Sequence, residues 1–161
     1  MVFHDKNGGV SQETRWLTPP WITEALGSFD LDPCGAPNHD IADRTYLLEK
    51  GDDGLRDPWF GRVWLNPPYG RASKPFFERM ARHGVGTALM FARTDTQLFH
   101  QHVFPKASGI LFLKGRVKFL TPEFEQRDRT NAPSCLIAYG SEDARILAAA
   151  SLPGAFVSLG G

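Results

Sequence analysis

The sequence predicts a single α/β domain built on a mostly parallel sheet, with helices on both faces and an antiparallel hairpin in its C-terminal half. Three observations carry this. A length of 161 residues suits one compact domain and is too short for a catalytic domain plus a full separate recognition domain. Apolar runs of strand length alternate with segments of helical periodicity, as in a parallel sheet whose crossovers are helices. Two further apolar runs flank Lys114-Gly115, the signature of a tight turn.

Residues 1–14, which include Asn7-Gly8-Gly9, show no periodic apolar signal and read as a flexible or loosely docked arm before a domain of residues 15–161. Thr18-Pro19-Pro20 has the cap-then-proline order of a helix start, Trp21, Ile22, Ala25 and Leu26 share a face, and Gly27 stops it. Phe29 to Pro33 alternates apolar and acidic residues and delivers Asp32 to a loop, as a strand end does. Between Cys34 and Pro58 the chain is polar and turn-rich, with room for one short strand or one turn of helix. Arg62 to Leu65 reads as a buried strand that Pro67 and Pro68 terminate, and a helix follows over Lys74 to Arg82. Gly86 to Ala92 is the next strand and Asp95 to Phe104 its helix. The hairpin pairs Ile110–Leu113 with Arg116–Leu120, Ser134–Tyr139 adds a strand, and Glu142–Ala150 makes an Ala-rich helix.

Hydrophobic residues at 42% and charged residues at 22% are those of an ordinary globular protein. Eighteen Lys and Arg balance eighteen Asp and Glu, so any nucleic-acid contact must come from a local patch and not from bulk charge. Cys34 and Cys135 lie far apart without zinc-ligand spacing, and the histidines, His100 and His102 included, show no ligand spacing with carboxylates or cysteines. No metal site and no disulfide framework are expected, and a reducing cytoplasm fits. No charged-then-apolar leader opens the sequence, and no apolar run approaches the roughly 18 residues of a membrane span, so a soluble, unexported protein is expected.

In an open parallel sheet, ligands gather where loops leave the carboxyl ends of strands. Here those loops are Asp32-Pro33-Cys34-Gly35 and Asn66-Pro67-Pro68-Tyr69. The Asn66 side-chain carbonyl and a backbone carbonyl held by Pro67 and Pro68 can both accept hydrogen bonds from one planar NH2 group. Such an amine is a weak nucleophile, and accepting its protons localises its lone pair for attack on an electrophilic methyl group. Tyr69 offers a face for a base swung out of a duplex. The plainer reading of Pro67-Pro68 is that two prolines end a strand.

Arg93-Thr94-Asp95-Thr96 sits on the same edge, where Arg93 could meet phosphate and Thr94 or Asp95 cap a helix. Lys114, Arg116, Lys118, Arg127 and Arg129, interleaved with Phe119 and Phe124, resemble a nucleic-acid footprint diluted by Glu123, Glu125 and Asp128; a solvated hairpin would look the same. Residues 121–132 are the natural place for a short recognition loop.

Trp16-Leu17-Thr18-Pro19, Phe29-Asp30-Leu31-Asp32-Pro33-Cys34, Asp53-Gly54-Leu55, Val63 to Tyr69, Arg93 to Thr96 and Gly115 to Phe119 occur in an order and spacing that resemble a known family. It is the phage-type DNA N-6-adenine methyltransferases, a Dam-like group of the class I methyltransferase fold, and the resemblance runs from about Trp16 to Gly140. It implies a Rossmann-like domain, S-adenosylmethionine as methyl donor, adenine in DNA as acceptor, and a catalytic role for Asn66, Pro67, Pro68 and Tyr69. It implies further that Trp16, Thr18 and Pro19 lie against the cofactor's methionine end, and that Asp32 and Pro33 hold its amino acid or ribose part. Asp53 would read the cofactor adenine, although Gly51-Asp52-Asp53-Gly54 is equally an ideal turn. The glycine-rich turn common after the first strand of this fold is absent, and only Gly35 remains. The sequence leaves open N4 of cytosine, RNA or a protein amide as acceptor, a catalytically silent binding module, and a monomer or a homodimer.

Overall fold

The computed structural model describes residues 16–128, 130 and 132–160. The arm expected over residues 1–14 and the cation Arg129 lie outside the described residues.

At the centre is β3 (Val63–Leu65), three apolar residues with no exposed surface. It lies between β1 (Phe29–Asp32) and β4 (Gly86–Phe91), with β2 (Ala42–Thr45) outside β1, and these three pairings are parallel. Beyond β4 the direction reverses. β6 (Ser134–Tyr139), β5 (Gly109–Leu113) and β7 (Gly154–Ser158) follow in that order through three antiparallel pairings. The seven-stranded order is β2-β1-β3-β4-β6-β5-β7.

Strand alternation sends side chains to two faces, and helices cover both. On one face Leu31, Val63, Leu65, Ala88 and Ile137 meet Phe77 and Met80 of α2 (Ser73–His83) and the π-helical turn Phe99–Val103. On the other, Phe29, Trp64, Leu89, Leu111 and Leu136 meet Ile22 of α1 (Pro20–Thr23), Leu26 of the 3-10 turn that extends it, and Leu147 of α3 (Ser141–Ala149). Burying one large apolar side chain in such a layer contributes roughly 1.5–3 kcal/mol, so both faces are needed to hold the sheet.

Several expectations need correction. The sheet is mixed, half its pairings parallel, and not mostly parallel. The hairpin over 110–120 does not form, because β5 has β6 on one edge and β7 on the other. The Lys114 N–H donates to the Pro153 carbonyl, which leads into β7, and residues 116–120 cross to place Val117 and Phe119 in the core. Leu120 then makes single bridges to Leu17 and Gln126. β7 itself carries no predicted element. The segment 34–58 holds both a strand, β2, and a 3-10 turn at Leu48–Lys50. Thr18 does not cap α1; the capping position is Pro19, without a side-chain hydrogen bond, and the Thr18 hydroxyl turns to Asn66. The helix expected over 95–104 is reduced mainly to the π-helical turn, and its start is held by Thr96 and not by Thr94 or Asp95. The Thr96 hydroxyl donates to the Arg93 carbonyl and accepts from the Phe99 N–H.

One buried charge pair ties the layers at the amino end of β3. Arg62 Nε donates to both carboxylate oxygens of Asp143 at 3.0 and 2.9 Å, and its Nη1 donates to the carbonyls of Leu26 and Ser28. The Asp143 carboxylate also accepts from the Thr87 hydroxyl at 2.7 Å, and the guanidinium lies 4.0 Å from the Phe29 ring centroid. α1, β1, β3, β4 and α3 therefore meet at one salt bridge. Asp143→Ala strands a largely buried guanidinium and is expected to cost about 3 kcal/mol in urea denaturation, at the lower end for broken buried pairs. An Asp143→Ala melting curve equal to wild type refutes the assignment.

Candidate active site

The parallel strands point their carboxyl ends to one edge, and three loops meet there: after β1, before α1 and after β3. Asn66, the first residue beyond β3, is 3% exposed. Its Nδ2 donates to the Thr18 hydroxyl at 3.0 Å and, more weakly, to the Trp16 carbonyl at 3.4 Å. Both partners are acceptors, so the amide nitrogen is fixed on that side and Oδ1 faces the other way. Oδ1 is buried and accepts no hydrogen bond among the described residues.

Asn66, Thr18, Asp32, His39 and Trp64 line a crevice with no room for a water-sized probe. Asp32 is 2% exposed and accepts from the Cys34 N–H at 3.1 Å. Burial pushes its carboxyl from 3.8 up to about 6, partly offset by that backbone N–H. His39 holds the Thr18 carbonyl at 3.1 Å, and burial lowers its imidazole below the usual range. Trp64 contributes an indole N–H that is buried without a partner among the described residues. This crevice thus carries an unmet donor on β3 and an unmet acceptor just beyond its end, beside a carboxylate that burial makes costly to ionise. Unsatisfied buried polar groups cost about 1–3 kcal/mol each, a cost that a partner from outside the described residues would relieve.

Next to it, Pro33, Asp53 and Pro68 line a cavity of about 180 Å³ with apolar walls from Tyr46, Leu55, Pro75 and Phe76. Its loops close tightly because two positions lack side chains. A Cβ on Gly35 would lie 2.0 Å from Thr45 Cγ2, and one on Gly54 would lie 2.2 Å from the Pro33 carbonyl oxygen. Asp53 serves the turn, accepting from the Leu55 N–H at 2.9 Å, and also lines the cavity. Asp52, which also lines it, is paired with Arg44 at 3.0 Å.

Tyr69 stacks on Phe91 with centroids 4.1 Å apart and planes 11° apart. Trp16 and Phe119 stand nearly perpendicular to it at 5.5 and 6.4 Å. The Phe91 stack therefore occupies one face of Tyr69. Trp16 lies in this aromatic group, and its carbonyl reaches Asn66. Pro19 is buried at the start of α1.

Of the expected cations, Arg93 and Arg127 line different clefts. Arg93 lines a cleft bounded by Tyr69 and the start of α2. Arg127 lies 5.8 Å from the Trp16 ring and lines a separate cleft with Phe119 and Thr130. Arg116 donates to the Thr130 carbonyl at 3.4 Å. Lys114 is exposed at the end of β5, and Lys118 is partly buried. Phe91, Arg71 and Lys74 line these sites without having been singled out in the sequence, and Trp64, inside the Val63–Tyr69 motif, was given no role of its own. Among the described residues no group of three or more His, Cys, Asp or Glu is arranged to hold a metal ion, and no helix is long and apolar enough to cross a membrane.

A mixed α/β domain with two buried unmet polar groups, Asn66 Oδ1 and the Trp64 N–H, near the carboxyl end of a parallel strand has the layout of many ligand-binding domains. The family profile for DNA N-6-adenine-methyltransferase (Dam) matches residues 7–152, and the chain belongs to that family. No curated protein sequence matches it.

If burial alone raises the Asp32 carboxyl, its neutral form is favoured in the folded state. The stability it contributes is full below about 3.8 and is lost as pH rises through about 6. A carboxyl raised from 3.8 to about 6 corresponds to about 3 kcal/mol. Asp32→Asn should therefore gain stability relative to wild type as pH rises from about 4 to 6, read as diverging melting temperatures. Parallel melting curves across that window contradict it.

Proposed function

We propose that this chain methylates the exocyclic N6 amino group of adenine in DNA, with S-adenosylmethionine as donor and Asn66-Pro67-Pro68-Tyr69 as the catalytic loop. The observation that carries the reading is the Asn66 amide: Nδ2 is satisfied by Thr18 and Trp16, and Oδ1 is left buried without a donor. An adenine NH2 group supplies the missing donor.

The residues present fit the cofactor. Asp32 supplies a buried carboxylate for its ammonium group or ribose hydroxyls, and the indole N–H of Trp64 is an unmet donor in the same crevice. Pro33, Asp53 and Pro68 line the neighbouring cavity, whose apolar walls suit a flat heterocycle. When bound, the cofactor supplies an electrophilic methyl group.

The chain's own residues perform the rest. Asn66 Oδ1 and the Pro67 carbonyl each accept a hydrogen bond from the amine, which localises the nitrogen lone pair outside the ring and aims it. The Thr18 hydroxyl and the Trp16 carbonyl hold the Asn66 amide in this orientation, because rotation would set Oδ1 against the carbonyl oxygen, acceptor to acceptor. Tyr69 supports the base, which must leave the helix stack for its amino group to be reached. Its hydroxyl, pushed well up by burial, stays protonated at neutral pH and takes no part as a base. DNA contacts fall to Arg93, Arg127 and the exposed members of the group Lys114, Arg116, Lys118 and Arg129. The protein would act in the cytoplasm, where DNA is accessible, as a monomer or a homodimer.

Transfer of labelled methyl from S-adenosylmethionine to unmethylated DNA, followed by digestion to nucleosides, tests this. Label should appear in N6-methyladenine and fall by roughly a hundredfold or more in Asn66→Ala, the scale for losing one transition-state acceptor. Label in another base would redirect the substrate, and cofactor binding without any label in DNA would refute the reading. Thr18→Val should lower turnover by a smaller factor, with the affinity for DNA unchanged; full turnover in that variant argues against amide orientation.

A further inference from the structure

The Asn66–Tyr69 loop separates two cavities of opposite character. On the Pro68 side lie Asp52 and Asp53. On the Tyr69 side a cleft of about 450 Å³ opens between the end of β4 and the start of α2, within the roughly 300–1,000 Å³ of ligand sites. Its floor is apolar, with Met90, Phe91 and Leu98, and three exposed cations, Arg71, Lys74 and Arg93, stand around it. No acidic side chain lines it, and none of the three cations makes an ion pair among the described residues.

In a chain of zero net charge this concentration is not overflow from a basic composition. Stability does not account for it either. The first turn of α2 carries no acid, and the helix dipole disfavours cations there. Arg93 lies 5.6 Å from the Phe91 ring centroid, so a charged rim and an aromatic floor coincide. An apolar floor under unpaired cations complements one chemical unit best, a nucleotide, whose sugar or base covers the floor while its phosphate meets the rim.

Asn66 does not line this cleft, so the amino group that meets Oδ1 lies outside it. We infer that the cleft takes the DNA nucleotide adjacent to the target adenine, with the phosphates on either side of it held by Arg71, Lys74 and Arg93. The inference rests on the function proposed above and adds Arg71 and Lys74 to the DNA-binding residues.

Binding of a short adenine-containing duplex, followed by fluorescence anisotropy over a range of salt concentrations, tests the assignment with wild type and the Arg71→Ala/Lys74→Ala double variant. Each phosphate contact contributes about −0.9 to the slope of log affinity against log salt. The double variant should therefore show a slope shallower by about two and, between about 50 and 200 mM salt, a loss of affinity roughly tenfold smaller than wild type. Its melting temperature and its affinity for S-adenosylmethionine by calorimetry should match wild type, and Arg71→Lys should restore most of its share of the slope. A duplex with an uncharged methylphosphonate beside the target adenine should weaken wild type more than the double variant, which keeps Arg93. Wild-type slope and affinity in the double variant, with wild type binding DNA, would overturn this site and leave the methyl-transfer reading standing. Failure of wild type to bind DNA at all would defeat both.

Discussion

The site depends on where β3 stops, and the two residues flanking that strand set both of its ends. At the amino end Arg62 is held by Asp143 and by the carbonyls of Leu26 and Ser28, so the strand cannot slide against β1 or β4 without breaking a buried charge pair. A slip of one residue would also exchange Val63 and Leu65 with Trp64 between the two core faces. At the carboxyl end the same register delivers Asn66 to the Thr18 hydroxyl. The orientation of one amide, on which the proposed chemistry rests, is thus fixed by a salt bridge at the opposite end of a three-residue strand.

That arrangement leaves polar groups unmet where an ordinary core would satisfy them. A buried Asn66 Oδ1, a buried Trp64 indole N–H and a carboxylate raised by burial are each unfavourable alone. These three line one crevice, whereas Arg62 Nη2 and the Ser134 hydroxyl, also buried without a partner among the described residues, lie outside it. Zero net charge hides a similar division. Asp52 and Asp53 lie on one side of the Asn66–Tyr69 loop and Arg71, Lys74 and Arg93 on the other, so charge sorts ligands by side although the whole chain carries none in excess.

Much of this was legible in the sequence. The strands at Phe29–Asp32, Val63–Leu65, Gly86–Phe91 and Ser134–Tyr139 were expected within a residue, the first from its alternation up to Pro33 and the others as short, mainly apolar runs bounded by Pro, Gly or a charge. The Asn66 loop was legible for the same reason: two prolines allow it no regular structure. What failed depended on partners. Arg116–Leu120 has the alternation of a strand, but β5 has no free edge to offer it. β7 is mostly exposed and makes a strand because it completes that edge, which its own composition does not announce. Thr18 reads as a cap because local sequence cannot show a hydrogen bond to a residue 48 positions away. Arg71 and Lys74 look like ordinary solvated cations until β4 brings Arg93 beside them.

The segment Trp16–Pro19 binds these parts together. The Trp16 carbonyl and the Thr18 hydroxyl orient Asn66, the Trp16 ring stands against Tyr69 and Phe119, and the Leu17 backbone exchanges two hydrogen bonds of 2.9 Å with Leu120. Leu120 also bridges to Gln126, and Phe124 lies against His39, which in turn holds the Thr18 carbonyl. The loop after Leu120 is therefore joined to the crevice along two routes, one through Leu17 and one through His39. Such a closed circuit of short contacts is mechanically stiff, because displacing any member requires breaking a hydrogen bond on each route. Trp16–Pro19 thus couples the orientation of Asn66 to the packing of Tyr69 and to the position of the loop after Leu120.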